Sequence, residues 1–251
     1  MRVALPAFLA LGLLSWCSSP CAALVSPEQL TVKISAGERS SGAWTLANVL
    51  KADASVHDHG VVLLRDAVSP ALVAECASCV DVCFEQCADA LAARGLKLVD
   101  GFAFHEIVHR AKARFDMQLG EGSAPSPLPA KLLARAPWTP LLRKVLGEDM
   151  ATIFTGAVVA LPGAAPQPCH MDGGHLFHST GGWQAEHLPP HCLNVFMPLV
   201  DVTATNGPTE FWPGTHRAAA AKAAGPQWDA EPGVQLAGSL GDLIVPSAGT
   251  S

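Results

Sequence analysis

The amino-acid sequence predicts an α+β fold in which long helices come first and short strands follow. Two patterns lead there. Before Leu146 apolar residues recur at helical spacing over long stretches, that beginning at Ser69 being the longest. From Thr152 onward short apolar runs alternate with Gly and Pro, the spacing of a β-sandwich or jelly roll. With 49% hydrophobic and 15% charged positions in 251 residues, the chain has enough apolar surface for one sizeable core.

Taken in order, residues 1–23 read as a secretory leader. Arg2 gives the positive start, Val3 to Trp16 the apolar run, and Cys21-Ala22-Ala23 the small residues before a cleavage point. The run is shorter than the ~20 apolar residues a bilayer span needs, so no membrane span is expected once the leader is removed. The expected address is the secretory pathway, the extracellular space, or an organelle reached that way. Residues 24–54 read as a linker with a short helix over Ala43 to Lys51. His57-Asp58-His59-Gly60 then turns into the strand Val61 to Leu64, and His57 and His59 are read as exposed turn residues rather than ligands.

Ser69 caps the next helix and Pro70 sits in its first turn, where no amide partner is needed. It should run to about Arg94 and stop at Gly95. Cys76, Cys79, Cys83 and Cys87 form one stripe on it. The first and last lie ~16 Å apart along a straight helix, too far for one zinc ion with ~2.3 Å bonds. Buried thiols are expected, with a disulfide in an oxidising compartment as the alternative. Removal of the leader takes Cys17 and Cys21 of the eight cysteines and leaves Cys169 and Cys192 beside these four.

Phe102 to Leu119 reads as a second helix with Arg110, Lys112 and Arg114 on a solvated basic face; the alternative for Arg114 is an anion partner. Gly120 to Pro129, rich in Gly, Ser and Pro, reads as a loop, expected to serve as a lid or a substrate-access segment. Lys131 to Leu146 is a further helix closed by Gly147. Strands are expected over Thr152 to Leu161, Leu176 to Phe177, Leu193 to Leu199, Thr209 to Trp212, Val234 to Leu236 and Asp242 to Val245. The net charge of −6 and the absence of any basic run exclude a nucleic-acid partner, which demands clustered Lys and Arg.

The chemistry concentrates in Gln167-Pro168-Cys169-His170-Met171-Asp172. His170 and Asp172 stand two apart, so on an extended segment an imidazole and a carboxylate project from one face. Two His and one carboxylate on one face hold a divalent iron and keep the opposite positions open, the facial triad of non-haem oxygenases. This pair supplies two of its three donors.

Downstream come the apolar strand Cys192-Leu193-Asn194-Val195-Phe196-Met197-Pro198-Leu199 and the turn Asn206-Gly207-Pro208-Thr209-Glu210-Phe211-Trp212-Pro213-Gly214-Thr215-His216-Arg217. This order resembles the phytanoyl-CoA dioxygenase family of Fe(II)- and 2-oxoglutarate-dependent oxygenases. Gly60 to Ser69 is similar to the family's opening strand and following helix start. The resemblance delimits an oxygenase-like domain over residues 55–251 and implies a double-stranded β-helix core. It further implies Fe(II) at His170 and Asp172, 2-oxoglutarate as cosubstrate, and dioxygen used to hydroxylate a small organic substrate.

Asn194 and Phe196 share a face of the strand that, by this resemblance, borders the cosubstrate pocket; ordinary core packing or hydrogen bonding is the alternative for each. Thr209 and His216 belong to the turn, which His216 is expected to shape rather than to bind metal. His175, His178, His187 and His191 read as solvated loop residues. They keep open a secreted jelly-roll protein that binds zinc or hydrolyses with it, and a non-catalytic relative is the third reading. In the family a second metal-binding His, and a basic residue that pairs with 2-oxoglutarate, follow a Gly-Asp-apolar strand. Gly241-Asp242-Leu243-Ile244-Val245 matches that strand, yet no His follows His216 and no Lys or Arg follows Lys222. The expectation is a C-terminally incomplete domain, either a shortened form of an active enzyme or an impaired relative, that as the chain is written is inactive or nearly so as a 2-oxoglutarate oxygenase.

Overall fold

In the computed structural model the described residues are 25–119, 128, 132, 136–168, 170, 172, 190–203, 205–217, 234–236, 240 and 243–246. The expected leader, the expected strand Leu176 to Phe177, Cys169, and His175, His178 and His187 lie outside them. The elements run β1 (Thr31–Lys33), α1 (Ala36–Ser41), α2 (Leu46–His59), β2 (Val61–Arg65), α3 (Pro70–Ala92), β3 (Ile107–Ala111) and β4 (Arg114–Gln118). After these come α4 (Thr139–Leu146), β5 (Gly156–Ala160), β6 (Glu210–Phe211), β7 (Val234–Gln235) and β8 (Leu243–Pro246). Helices and mainly antiparallel strands are thus mixed. Among the described residues the strands form three sheets, ordered β1-β2-β8, β3-β4-β5 and β6-β7, none closed into a barrel.

The first sheet is organised around β2, whose residues Val61 to Leu64 are all buried because both of its faces are covered. Val62 and Leu64, with Leu243 and Val245 of β8, point toward Ala52 and Val56 of α2 and Leu141 of α4. Val61, Leu63 and Ile244 point the other way and pack with Leu30, Phe211 and Leu236. The antiparallel register Val61↔Pro246 to Leu64↔Leu243 follows from this alternation, since a slip of one residue would turn both apolar sets out of their cores. The segment expected as a linker contributes β1, which pairs with β2 in parallel, and α1 and α2.

Helix α2 continues eight residues beyond the expected Lys51, because nothing in Ala52–His59 breaks a helix and Ala52 and Val56, four apart, both bury on the sheet. His57 and His59 therefore stand in its last turn and not in a following loop. Gly60, at φ 78°, takes the left-handed conformation that ends the helix. Helix α3 starts at Ser69, whose hydroxyl accepts from the Leu72 amide, as the sequence predicts. Cys76 is buried on it and Cys79, Cys83 and Cys87 are half-buried, all as thiols. Burial pushes the Cys83 and Cys87 thiols up, which favours their protonated form.

The helix expected over Phe102 to Leu119 is a β-hairpin. Phe115 and Met117 are buried while Arg114, Asp116 and Gln118 alternate with them, a period of two that packs one face of β4 on α3. The chain reverses at Lys112-Ala113, where Ala113 adopts φ 57° without a glycine to mark the turn. The helix expected from Lys131 breaks at 136–138, where Pro137 sits, and α4 runs only from Thr139 to Leu146.

Candidate metal centre

The loop bearing the His-x-Asp pair leaves β5 at Ala160 and is fastened to the β3–β4 turn. The Leu161 amide donates to the Ala113 carbonyl at 2.8 Å, and the Arg114 guanidinium to the Ala165 carbonyl at 2.8 Å. Arg114 is thus no solvated helix residue. It stands at the start of a strand with its Nε buried and its Nη2 holding this loop.

From there the loop reaches His170 and Asp172, neither of which lies in a strand. Their side chains converge nonetheless, because the His170 ring is turned by its own backbone: Nδ1–H donates to the Pro168 carbonyl at 2.8 Å. That bond gives Nδ1 the donor role and leaves Nε2 as the nitrogen available to a metal, the arrangement common to metal-binding imidazoles. Nε2 faces Asp172 Oδ1 at 3.4 Å, with the two side chains 47% and 28% exposed. The other carboxylate oxygen, Oδ2, accepts from Asn194 Nδ2 at 2.7 Å.

Metal bonds of about 2.0–2.2 Å to nitrogen and oxygen set neighbouring donors about 3 Å apart. The observed spacing is close enough for one divalent cation to draw the pair together with a small side-chain movement. The two contacts behind the pair, carbonyl to imidazole and amide to carboxylate, are of the kind that orient ligands. A hard, anionic oxygen beside an imidazole nitrogen suits Fe(II). Among the described residues no group of three His, Cys, Asp or Glu gathers for a metal.

Asn194 reaches this place through sheet pairing. Its amide donates to the Pro246 carbonyl at 3.0 Å, and Phe196 exchanges bonds of 2.8 and 2.9 Å with Ile244. Residues 194–196 therefore lie beside β8 as an added antiparallel rung. Leu193, Val195 and Met197 pack on the α2–α4 core, which leaves Asn194 and Phe196 on the opposite face, Phe196 40% exposed. The shared face is as the alternation predicts. That Asn194 would hold the carboxylate was not anticipated; the only signal was an amide side chain at a non-core strand position.

His216 is occupied elsewhere. Its Nε2–H donates at 2.9 Å to the carbonyl of His57 at the end of α2, and Arg217 Nη2 donates to the same oxygen at 2.9 Å. This agrees with a turn-shaping residue. Burial holds its imidazole below the ordinary pKa, so it is neutral near pH 7.

A comparison with known protein families adds one finding to this geometry. The model described as phytanoyl-CoA dioxygenase matches residues 56–246, which contain the His170–Asp172 pair, the Asn194–Phe196 rung and β8. That span is well over half of the chain, and the chain belongs to the phytanoyl-CoA dioxygenase family.

Proposed function

We propose that this chain is an Fe(II)- and 2-oxoglutarate-dependent oxygenase that hydroxylates a small organic substrate. The observation that carries the reading is the His170–Asp172 pair, with its facing donors at 3.4 Å and a separate hydrogen bond behind each residue. Members of the family are typically dependent on Fe(II) and 2-oxoglutarate. Bound iron would supply dioxygen activation, with 2-oxoglutarate, dioxygen and a C–H bond converted to succinate, carbon dioxide and a C–OH.

The chain's own residues have distinct tasks in this reading. His170 offers Nε2 as a donor, and Asp172 offers a carboxylate charge that offsets part of the cation's. Asn194 keeps the carboxylate from rotating, so that one oxygen stays directed at His170. Phe196, on the same face and partly exposed, gives the cosubstrate an apolar wall that limits water near the reacting atoms. The strands are read as parts of a double-stranded β-helix. Among them β8 carries Pro246, whose carbonyl accepts the Asn194 amide. In the family the third donor and the basic partner of 2-oxoglutarate come after the corresponding strand.

The test is succinate formation from 2-oxoglutarate with Fe(II) and dioxygen. A signal above the metal-free blank is expected from the unmodified protein and is expected to vanish in His170→Ala. Equal succinate from the variant and the unmodified protein would contradict the reading.

A further inference from the structure

The turn after β6 makes contacts that an oxygenase site alone does not require. The last carbonyls of a helix have no partner within it, and α2 ends with those of His57 and His59 exposed to this need. Both are satisfied from more than 150 residues away in sequence. Gly214 donates its amide to His59 at 2.8 Å, while His216 Nε2 and Arg217 Nη2 converge on His57 at 2.9 Å each. Gly214 has φ 88°, a left-handed conformation that aims its amide at the helix end and that other residues rarely adopt. The guanidinium also places a positive charge at the negative end of the helix dipole. His216 must be the Nε2–H tautomer to donate, and its buried Nδ1 has no hydrogen-bond partner among the described residues, as suits a neutral ring.

The end of α2 is in turn tied to the metal centre by short steps. Ser55 donates its hydroxyl to the Val61 carbonyl at 2.7 Å in a buried bond, joining the helix to the first residue of β2. Val61 is paired with Pro246 of β8, and the Pro246 carbonyl accepts the Asn194 amide at 3.0 Å. Asn194 then holds Asp172. We propose that Gly214, His216 and Arg217 are positioning residues for the metal centre: they clamp the last turn of α2, which steadies the Val61–Pro246 end of the β2–β8 pair and so, through Asn194, the direction of the Asp172 carboxylate. This rests on the metal-centre reading above, but gives a role to the Pro-Gly-Thr-His-Arg turn that ligation does not.

The experiment uses Co(II) as a spectroscopic probe of the His170–Asp172 site, with hydrogen exchange of α2 and β2 amides measured in parallel. In His216→Ala/Arg217→Ala the exchange at residues 57–62 should rise, Co(II) affinity should fall about tenfold, and the Co(II) visible spectrum should change, since orienting contacts have effects of that size. His216→Gln/Arg217→Lys keeps a donor at each position and should recover most of the affinity and the spectrum. Faster exchange with unchanged Co(II) affinity and spectrum would overturn the proposal, because the turn would then be a helix cap and nothing more. Unchanged exchange would overturn the clamp itself. Should the double-alanine chain fail to fold, Arg217→Ala alone makes the same test with a smaller shift. An unmodified protein that binds no Co(II) would instead overturn the metal-centre reading, and the proposal with it.

Discussion

The carboxylate of Glu38 accepts hydrogen bonds from Ser35, Thr45 and Asn48 at 2.7–3.0 Å and is 7% exposed, whereas that of Asp172 accepts from Asn194 with one oxygen and turns the other toward His170. Glu38 draws every donor from within ten residues of itself. It closes a capping box at α1, and through Thr45 and Asn48 it ties α1 to the start of α2. Burial alone would raise its pKa; the Ser35 and Thr45 donors outweigh that and hold it at about 2. Such a carboxylate stabilises a fold and has little left to offer a ligand. Asp172 is held from 22 residues away, on the exposed side of a sheet rung, and its orientation serves a partner in front of it. The same functional group acts as a rivet in one region and as a presented ligand in the other, and the difference lies in where its donors come from.

Breaking the presented site should have the largest effect on binding and almost none on folding. His170→Ala is expected to reduce Fe(II) affinity by more than the roughly hundredfold seen when only supporting contacts are lost. Because the side chain is half-exposed, unfolding stability should stay within about 0.5 kcal/mol, and urea unfolding monitored by circular dichroism checks that half of the claim.

The rivet should show the reverse. Glu38→Gln replaces an acceptor oxygen with a donor nitrogen facing donors, and should lower stability by about 2 kcal/mol while leaving metal affinity unchanged. Chemical unfolding and metal titration of the same preparation separate the two.

A smaller effect sharpens the middle of the comparison. Asn194→Ala leaves His170 and Asp172 in place but lets the carboxylate rotate, so Fe(II) affinity should fall about tenfold with little change in stability. A variant that lost stability instead would make Asn194 another rivet.

The pH dependence gives the finest distinction. The Glu38 pKa is depressed from 4.5 to about 2, so its contribution is fully present above pH 4.5 and is lost as pH falls through that window. Acid titration of stability should therefore be flatter for Glu38→Gln than for the unmodified protein between these values.

How far the sequence could be read follows from the same distinction between local and distant partners. Helix α3 was legible because Ser69, Pro70 and Gly95 are local signals that no distant contact has to supply. The β3–β4 hairpin was not. Arg110, Lys112 and Arg114 lie at even spacing, which fits one face of a strand as well as a crowded helix face, and Ala113 reverses the chain with no Gly, Asn or Asp to mark it. In the site, the two-residue spacing singled out His170 and Asp172, but the contact that turns the imidazole toward the carboxylate is a bond to the Pro168 carbonyl outside any strand, which the spacing did not foretell. The hold of Asn194 on Asp172 could not be read either, because it depends on the rung that residues 194–196 make with β8. His216 was legible as a turn residue, but its acceptor, the His57 carbonyl, is visible only once α2 is known to extend that far.

The central claim is that His170 and Asp172 hold one divalent cation between them, and anaerobic calorimetric titration with Fe(II) tests it most directly. The account predicts a single site per chain in the unmodified protein and its loss in Asp172→Ala, with the variant still folded. The same stoichiometry and affinity in Asp172→Ala would remove that carboxylate from the centre and contradict the account.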